Sequence, residues 1–501
     1  NQITVYKGET RLQSEQQYSN LIYEYFFMRI QFGYYHCGDY LPSIDNLCRE
    51  FCVSAQTVKI ALQRLRAEGY IDMHNGRSTK VIFEQDPERA GQAMTRYFSR
   101  RIQGFEDLYQ STRLIIMPLM LEGFHQAGPE ALVGLSRLAA GNSADDVLQF
   151  FSFLLQQIDN PLAMNLYWET SIYWGLLFLK QGGEKDLSGI PLMHEGMRRC
   201  IELARAKDWC RLYGQLRDFR QISVGNALEK LARSISPSAD EEQIPFVWRI
   251  YRDRPQVCYS LASRLLHEIY VGGFREDSYL PSYEKLSEQF GVSVSTVRRT
   301  VKTLNQLGAA QSINGKGTRI FGIGEPCRVP DLKSPSVRRN LAYFFQAFEL
   351  LAYSCEAVMR DTLDTAAPGE KRKLLSQLEE AIETGNTDLT LWQCLLFMAN
   401  HSRLHGVRTV YKNIYGLFLW GYPLKASLVN GPEPIPSILR FTKSTVKHLR
   451  ENDTEGCVNA LKTVVAQRFS TAEGYLLRCG LLPEELRLTP SIRLLITDEN
   501  T

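Results

Sequence analysis

A chain of 501 residues is too long for one hydrophobic core and implies several domains. Its 44% hydrophobic and 23% charged residues are ordinary for a globular protein, and a net charge of +3 excludes a polybasic protein while leaving room for a local basic face. The 11 cysteines show no CxxC pair and no metal-ligand spacing, so they read as reduced, mostly buried thiols of a cytoplasmic protein. The longest apolar run, SIYWGLLFLK, is too short to span a bilayer, and no signal-peptide pattern opens the chain.

In chain order, residues 1–85 read as a winged helix-turn-helix. Ile44 to Phe51 has helical character, Cys52 to Ser54 forms a turn, and Ser54 suits the N-cap of a second helix. Val58, Leu62 and Leu65 recur at helical spacing and face inward. YIDMHNGRSTKVIF then reads as strand, tight turn, strand. In such a unit the second helix enters the major groove, so Gln56, Thr57, Lys59 and Gln63 are its expected base-facing side chains, behind Ala55. Arg77 and Lys80 on the hairpin are expected at the DNA backbone.

Residues 86–240 show helical periodicity and few strand signals. Arg113 lies inside an apolar helical run, where a guanidinium needs an anion or carboxylate partner. With Tyr167, Trp168 and Trp174 it could line an effector pocket, although the plainer reading of such aromatics is core packing. The stretch SISPSADEEQIPF, residues 234 to 246, is rich in Ser, Pro and acid and reads as a seam.

Residues 241–325 repeat the first pattern. LPSIDNLCREFCVSAQTVKIALQRL begins at Leu41 and LPSYEKLSEQFGVSVSTVRRTVKTL at Leu280, and the register holds without a gap from Gly33/Gly272 to Gly76/Gly315. Ser293 is the matching N-cap, and Val297, Val301 and Leu304 face inward. Ser295, Thr296, Arg298, Arg299 and Lys302, behind Val294, are the expected groove-facing side chains. Lys316, Thr318 and Arg319 belong to the second wing. Residues 280–321 carry six basic side chains against two acidic ones, and residues 41–83 six against four, so the second copy is the stronger candidate reader.

Residues 326–488 return to helical periodicity, with Trp392, Tyr411, Tyr415 and Trp420 as the matching aromatics, and 489–501 form a tail. The expected fold is therefore mainly α, with two winged helix-turn-helix domains, each followed by an all-α helical bundle.

The motif LPS…L…FGVSxxTVR…L…G…NGxGT, here Leu280–Ser282, Leu286, Phe290–Ser293, Thr296–Arg298, Leu304, Gly308 and Asn314–Thr318, resembles the GntR family of bacterial transcription regulators. The first copy follows it with more departures. The family usually places Arg directly after VS, where this chain has Ala55 and Val294, and a second contacting Arg falls at Asp45 and Glu284. The resemblance thus implies DNA binding with altered base readout. The stretch Asp107 to Phe124 resembles the opening of the FadR/FCD-type helical domain, whose members sense carboxylates and acyl thioesters, so an acidic metabolite is the implied effector. Many of those members hold a metal through one Asp and three His. Here the His sites fall at Phe151, Met197 and Phe219, and in the second copy at Leu391, Thr442 and Val464, while the Asp site falls at Val147 with Asp146 one residue off. No metal and no other cofactor is expected.

Three function classes follow. A ligand-modulated regulator would bind double-stranded DNA through both winged helices, as a covalent pseudo-dimer or a homodimer. The first winged helix, or both, could instead serve protein interaction or dimerisation. An enzyme is not expected: HExxH, GxSxG, P-loop and GxGxxG patterns are missing, and HSRLH at His401 and His405 lacks completing ligands.

Overall fold

The computed structural model describes residues 19–20, 22–51, 54–74, 78–84, 86–142, 145–175, 189–238, 241–250, 256–271, 279–321, 330–385, 387–421 and 435–487. The chain divides into unit 1, residues 1–250 with 490–501, and unit 2, residues 251–489. It is mainly α, with two short antiparallel hairpins among the described residues.

Unit 1 opens on α1 (22–31), whose Ile22, Tyr25, Phe26 and Ile30 are buried at helical spacing. Helices α2 (Ile44–Phe51) and α3 (Ala55–Ala67) follow, and the strands β1 (Ile71–Asp72) and β2 (Lys80–Val81) pair Ile71 with Val81. The helical bundle behind them comprises α4 (Pro87–Ser99), α5 (Phe105–Gln126), α6 (Pro129–Ala139), α7 (Asp145–Gln157), α8 (Pro161–Trp174), α9 (Ile190–Arg205), α10 (Trp209–Arg220) and α11 (Asn226–Ser234). A π-helical turn, Gln221–Gly225, joins the last two. Tyr25 packs against Trp168 at 5.8 Å and Phe32 against Tyr97 at 5.5 Å, so α1 is anchored on the bundle.

The stretch 241–250, which the sequence places at the head of the second winged helix, packs on unit 1 instead. Phe246, Trp248 and Ile250 alternate with exposed or half-buried neighbours and are buried themselves. The Ile244 amide donates to the Arg100 carbonyl, Tyr173 donates to the Ile244 carbonyl at 2.8 Å, and Trp248 Nε1 donates to Asn165 Oδ1 at 2.7 Å. Glu241 holds Arg96 and Arg100, and Arg249 reaches the buried Glu169 at 3.2 Å. The Ser-, Pro- and acid-rich composition of 234–246 spells a linker, but Phe246, Trp248 and Ile250 at and beyond its end are buried apolar anchors.

Unit 2 repeats the order with α12 (Gln256–Val271), α13 (Tyr283–Phe290), α14 (Val294–Leu307), β3 (Ala310–Ile313) and β4 (Gly317–Ile320). Then come α15 (Pro335–Thr365), α16 (Pro368–Glu383), α17 (Thr390–His401), α18 (His405–Phe418), α19 (Ile435–Arg450), α20 (Thr454–Arg478) and α21 (Pro483–Arg487). Here too the first helix is tied to the bundle: Ser263 donates to the Gly416 carbonyl at 3.1 Å, Trp420 Nε1 donates to Ser263 at 3.0 Å, and His267 meets the Tyr415 hydroxyl at 2.6 Å. Among the described residues no helix is long and apolar enough to cross a membrane.

Candidate nucleic-acid interface

Each expected reading helix begins with the same device. Ser54 accepts from the Thr57 amide at 3.1 Å, and Ser293 from the Thr296 amide at 3.2 Å. A serine cap supplies one of the hydrogen bonds missing at a helix start and fixes where the first turn points. In the second copy the turn before it is closed by Gly291 at φ +62, a conformation that an L side chain adopts only at a cost. A Cβ at Gly291 would meet no atom within 4 Å, so the cost of adding one lies in the backbone alone. Gly291→Ala is expected to destabilise unit 2 by about 1 kcal/mol, read as a lower unfolding midpoint of the full chain; an unchanged midpoint would remove the need for a glycine at this turn. Cys52, at the matching place in the first copy, lies outside the described residues.

The caps leave a consistent outer face. In α14, Ser295, Arg298, Arg299 and Lys302 are exposed and Thr296 is half-buried, while Val297, Thr300, Val301 and Leu304 turn into the core. In α3, Ala55, Gln56, Lys59 and Gln63 are exposed above Val58, Ala61, Leu62 and Leu65. Two residues expected to face DNA, Thr57 on the reading helix and Thr318 on the wing, are turned inward. Thr57 is 1% exposed and its hydroxyl meets Ser54; Thr318 is 5% exposed and its hydroxyl meets Ser312. Thr57 falls on the inner stripe with Val58 and Ala61, and Thr318 on the inward side of a strand whose pattern alternates.

The wings differ in length. Hairpin β3–β4 pairs four residues from each strand, Ala310 with Ile320 through Ile313 with Gly317, and exposes Lys316 and Arg319. Hairpin β1–β2 pairs two from each and exposes Lys80, while Arg77 lies outside the described residues. A tyrosine that sequence reasoning passed over completes each wing: Tyr40 bridges Lys80 and Tyr279 bridges Arg319, and Tyr40 is 61% exposed. Their equivalence in the repeat was the available signal.

Charge separates the copies further. Arg298, Arg299, Lys302 and Lys316 make no ion pair among the described residues, so their charge faces outward. In the first copy Lys59 and Lys80 are likewise unpaired, but Arg64 is engaged by Glu68 at 3.1 Å and stacks over Tyr23 at 3.7 Å.

In the helical bundle of unit 1, among the described residues, no hydrogen bond or ring contact joins the four suggested effector residues to one another. Tyr167 donates to the Leu148 carbonyl, Trp168 faces Tyr25, and Trp174 is buried near the end of α8. Arg113 is on α5, in the charge environment of Tyr109 and Arg220. Arg220 went unnoticed because, at the end of a polar helix, it reads as a surface residue; only the fold buries it.

The positions that the family resemblance assigns to metal ligands do not fit a metal. Phe151 and Phe219 stack at 5.0 Å, and Met197 is fully buried. In unit 2, Leu391 and Val464 are buried, and Thr442 is hydrogen-bonded to Thr390 at 2.8 Å and to the Ile438 carbonyl. Asp146 is turned to His194 at 3.5 Å. Among the described residues no group of three or more His, Cys, Asp or Glu could hold an ion.

Two segments of the chain, residues 19–81 and 260–320, match the profile of the bacterial regulatory proteins of the gntR family. Solved structures similar to portions of the chain include McbR/YncC of E. coli (17% identity, 44% of this chain and 97% of that one, TM-score 0.24). A GntR protein of Streptococcus agalactiae (19%, 42% and 99%, TM-score 0.19) and a GntR regulator of Rhodococcus sp. RHA1 (14%, 44% and 98%, TM-score 0.27) are others. No curated protein matches the chain.

Proposed function

We propose, from the premise that this chain carries two gntR-family winged-helix domains in tandem and so has the fold of a DNA-binding transcription regulator, that it is a covalent pseudo-dimer. In this reading each winged helix takes one half-site of an asymmetric operator, and the helical bundles tune the affinity in response to an acidic metabolite. The observation that carries the proposal is the repeated serine-capped helix with an outward basic or polar face, present twice in one polypeptide. The contacts proposed are Ser295, Thr296, Arg298, Arg299, Lys302, Lys316 and Arg319 in the second copy. In the first they are Gln56, Lys59, Gln63 and Lys80, with Arg77.

The stoichiometry of a footprinted complex tests the whole reading. One chain per complete operator is expected, and two chains with one winged helix of each unprotected would sink it. The wings give a separate expectation. Replacing Lys316 and Arg319 together with Ala should weaken binding of every sequence about equally and flatten the log-log salt slope by roughly one to two, since each phosphate contact contributes about 0.9. A slope unchanged by both substitutions would take the wing off the DNA.

A second reading is favoured for the first copy alone. Its shorter hairpin and its engaged Arg64 leave less free charge, which suits a protein-contact or dimerisation role. Replacing Lys59 and Lys80 discriminates the two: a flatter salt slope supports DNA contact, and an altered oligomeric state with the slope intact supports protein contact.

A further inference from the structure

Helix α19 of unit 2 carries its cations in one line. Arg440, Lys443, Lys447 and Arg450 stand three, four and three residues apart, and all four are exposed. That spacing follows the helical period, so the four side chains share one face over a length of about 15 Å. The opposite face, with Ile438, Phe441, Thr442, Thr445 and Val446, is buried and fixes the row outward. Arg450 is held by Glu379 of α16 at 2.7 Å. Arg440, Lys443 and Lys447 make no ion pair among the described residues, although Glu380 and Glu383 lie on the same neighbouring helix and Glu451 follows Arg450 in the chain.

Unit 1 has the same helix without the row. Helices α9 and α19 both open on Ile-Pro, at 190 and 435. Each is followed by a residue at positive φ, Lys207 or Asn452, and then by an aspartate that caps the next helix, Asp208 or Asp453. The register between these marks needs no gap. It sets Arg440 against Glu195, Lys443 against Arg198, Lys447 against Glu202 and Arg450 against Arg205. Two acids and two bases stand where unit 2 has four bases, and Glu195 takes Arg198 at 3.0 Å and Arg199 at 2.9 Å. A solvated helix face is served by that mixture. Like charges three and four residues apart destabilise a helix, so the row in unit 2 opposes folding unless a partner offsets it.

The row lies away from the DNA-facing side of unit 2. Helix α12 lies between α14 and the bundle: Thr300 on the inner side of α14 donates to the Cys258 carbonyl, and Ser263 donates to the Gly416 carbonyl on α18. The outer face of α14 is therefore turned from the bundle. Helix α15 begins beside α14, where Ser334 donates to Gln306 at 3.1 Å, and ends beside the start of α20, where Thr454 donates to Asp364 at 3.3 Å. Its 31 residues span about 46 Å, so the row, which ends at Arg450 just ahead of Thr454, runs toward the end of the bundle far from α14. A spacing of three, four and three is also that of a helix seam, along which a second straight helix can lie. We propose that the row on α19 docks an acidic helical segment of a partner protein, with carboxylates at the same spacing, and that unit 1 docks none. Exposed ion pairs are individually weak, so the complex forms fast, is screened by salt and takes its specificity from the shared spacing.

The test is a titration of a fluorescently labelled, alanine-based helical peptide, with glutamates at that spacing, by the full chain at low salt. Saturable binding of one peptide per chain is expected. Lys443→Glu with Lys447→Glu should weaken it roughly tenfold or more, and Gln at both positions several-fold, which keeps the test readable if the reversal disturbs the fold. A peptide of the same composition with its glutamates spread around the helix should bind several-fold more weakly. Conversely, Glu195→Arg with Glu202→Lys should create a second site in unit 1. Overturning results are no saturable binding, an affinity that neither pair of substitutions changes, or equal binding of the two peptides. Affinities for operator and scrambled duplex, measured beside the titration, are expected to stay as in the wild type. If both fall in the Gln variant and the salt slope flattens, the row is a DNA-backbone contact and the protein partner is ruled out.

Discussion

Replacing Arg298 with Ala is expected to lower the affinity of the full chain for its selected operator by roughly tenfold to a hundredfold, the value of one good base-edge contact. Arg298 lies one turn beyond the cap that Ser293 makes with Thr296, on the exposed side of α14 and, among the described residues, without an ion-pair partner. A side chain there meets base edges when the helix start enters the major groove. The geometry also decides what kind of loss to look for. If Arg298 reads a base, the loss falls on the selected sequence and vanishes on scrambled DNA, with the salt slope unchanged. If it meets phosphate, both sequences weaken and the slope flattens by about 0.9. Lys59 occupies the same place in α3 as a point charge without the planar fork, so Lys59→Ala should cost several-fold less. Wild-type binding by Arg298→Ala on both DNAs would remove α14 from the interface.

The winged helices were legible because their signals are local. A serine cap, a glycine at positive φ and an inward stripe are each set by a few neighbouring residues, and the repeat printed the cap and the stripe twice. Thr57 and Thr318 were misplaced because residue type alone suggested polar contact; the pitch of α3 and the alternation of β4 turn them in. In the helical bundles the informative contacts are non-local. Arg220 finds Tyr109 from more than a hundred residues away, and no periodicity announces that a guanidinium at a helix end will be buried. The π-helical turn is likewise invisible, since Gln-Ile-Ser-Val-Gly continues a helical pattern without interruption. The seam shows the opposite error: the composition of 234–246 signals a linker, while Phe246, Trp248 and Ile250 are buried anchors, the first two on partners in helix α8.

That packed stretch yields the other large expectation. Trp248 is 3% exposed, and its Nε1 is satisfied by Asn165. Truncating a buried Trp to Ala costs roughly 3–5 kcal/mol where the surroundings cannot collapse. An extended segment at the edge of unit 1 has a cheaper escape, which is to detach. The loss is then capped at the docking energy of the segment and appears as local opening. Trp248→Ala should therefore raise amide exchange across 241–250 while α5 and α7 stay protected. Detachment also frees the covalent path that leads from unit 1 into α12. If the two winged helices of one chain share an operator, lengthening that path dilutes one around the other, and an operator with two half-sites should lose several-fold more affinity than a single half-site. Equal losses on both DNAs would mean that the segment stabilises unit 1 and nothing more, and unchanged exchange would mean that Phe246, Arg249 and the backbone bond from Ile244 to Arg100 hold it without Trp248. A selective loss on the two-half-site DNA can arise only if both winged helices of one chain engage the same operator, because a tether between heads that bind separate DNAs has no effect on either.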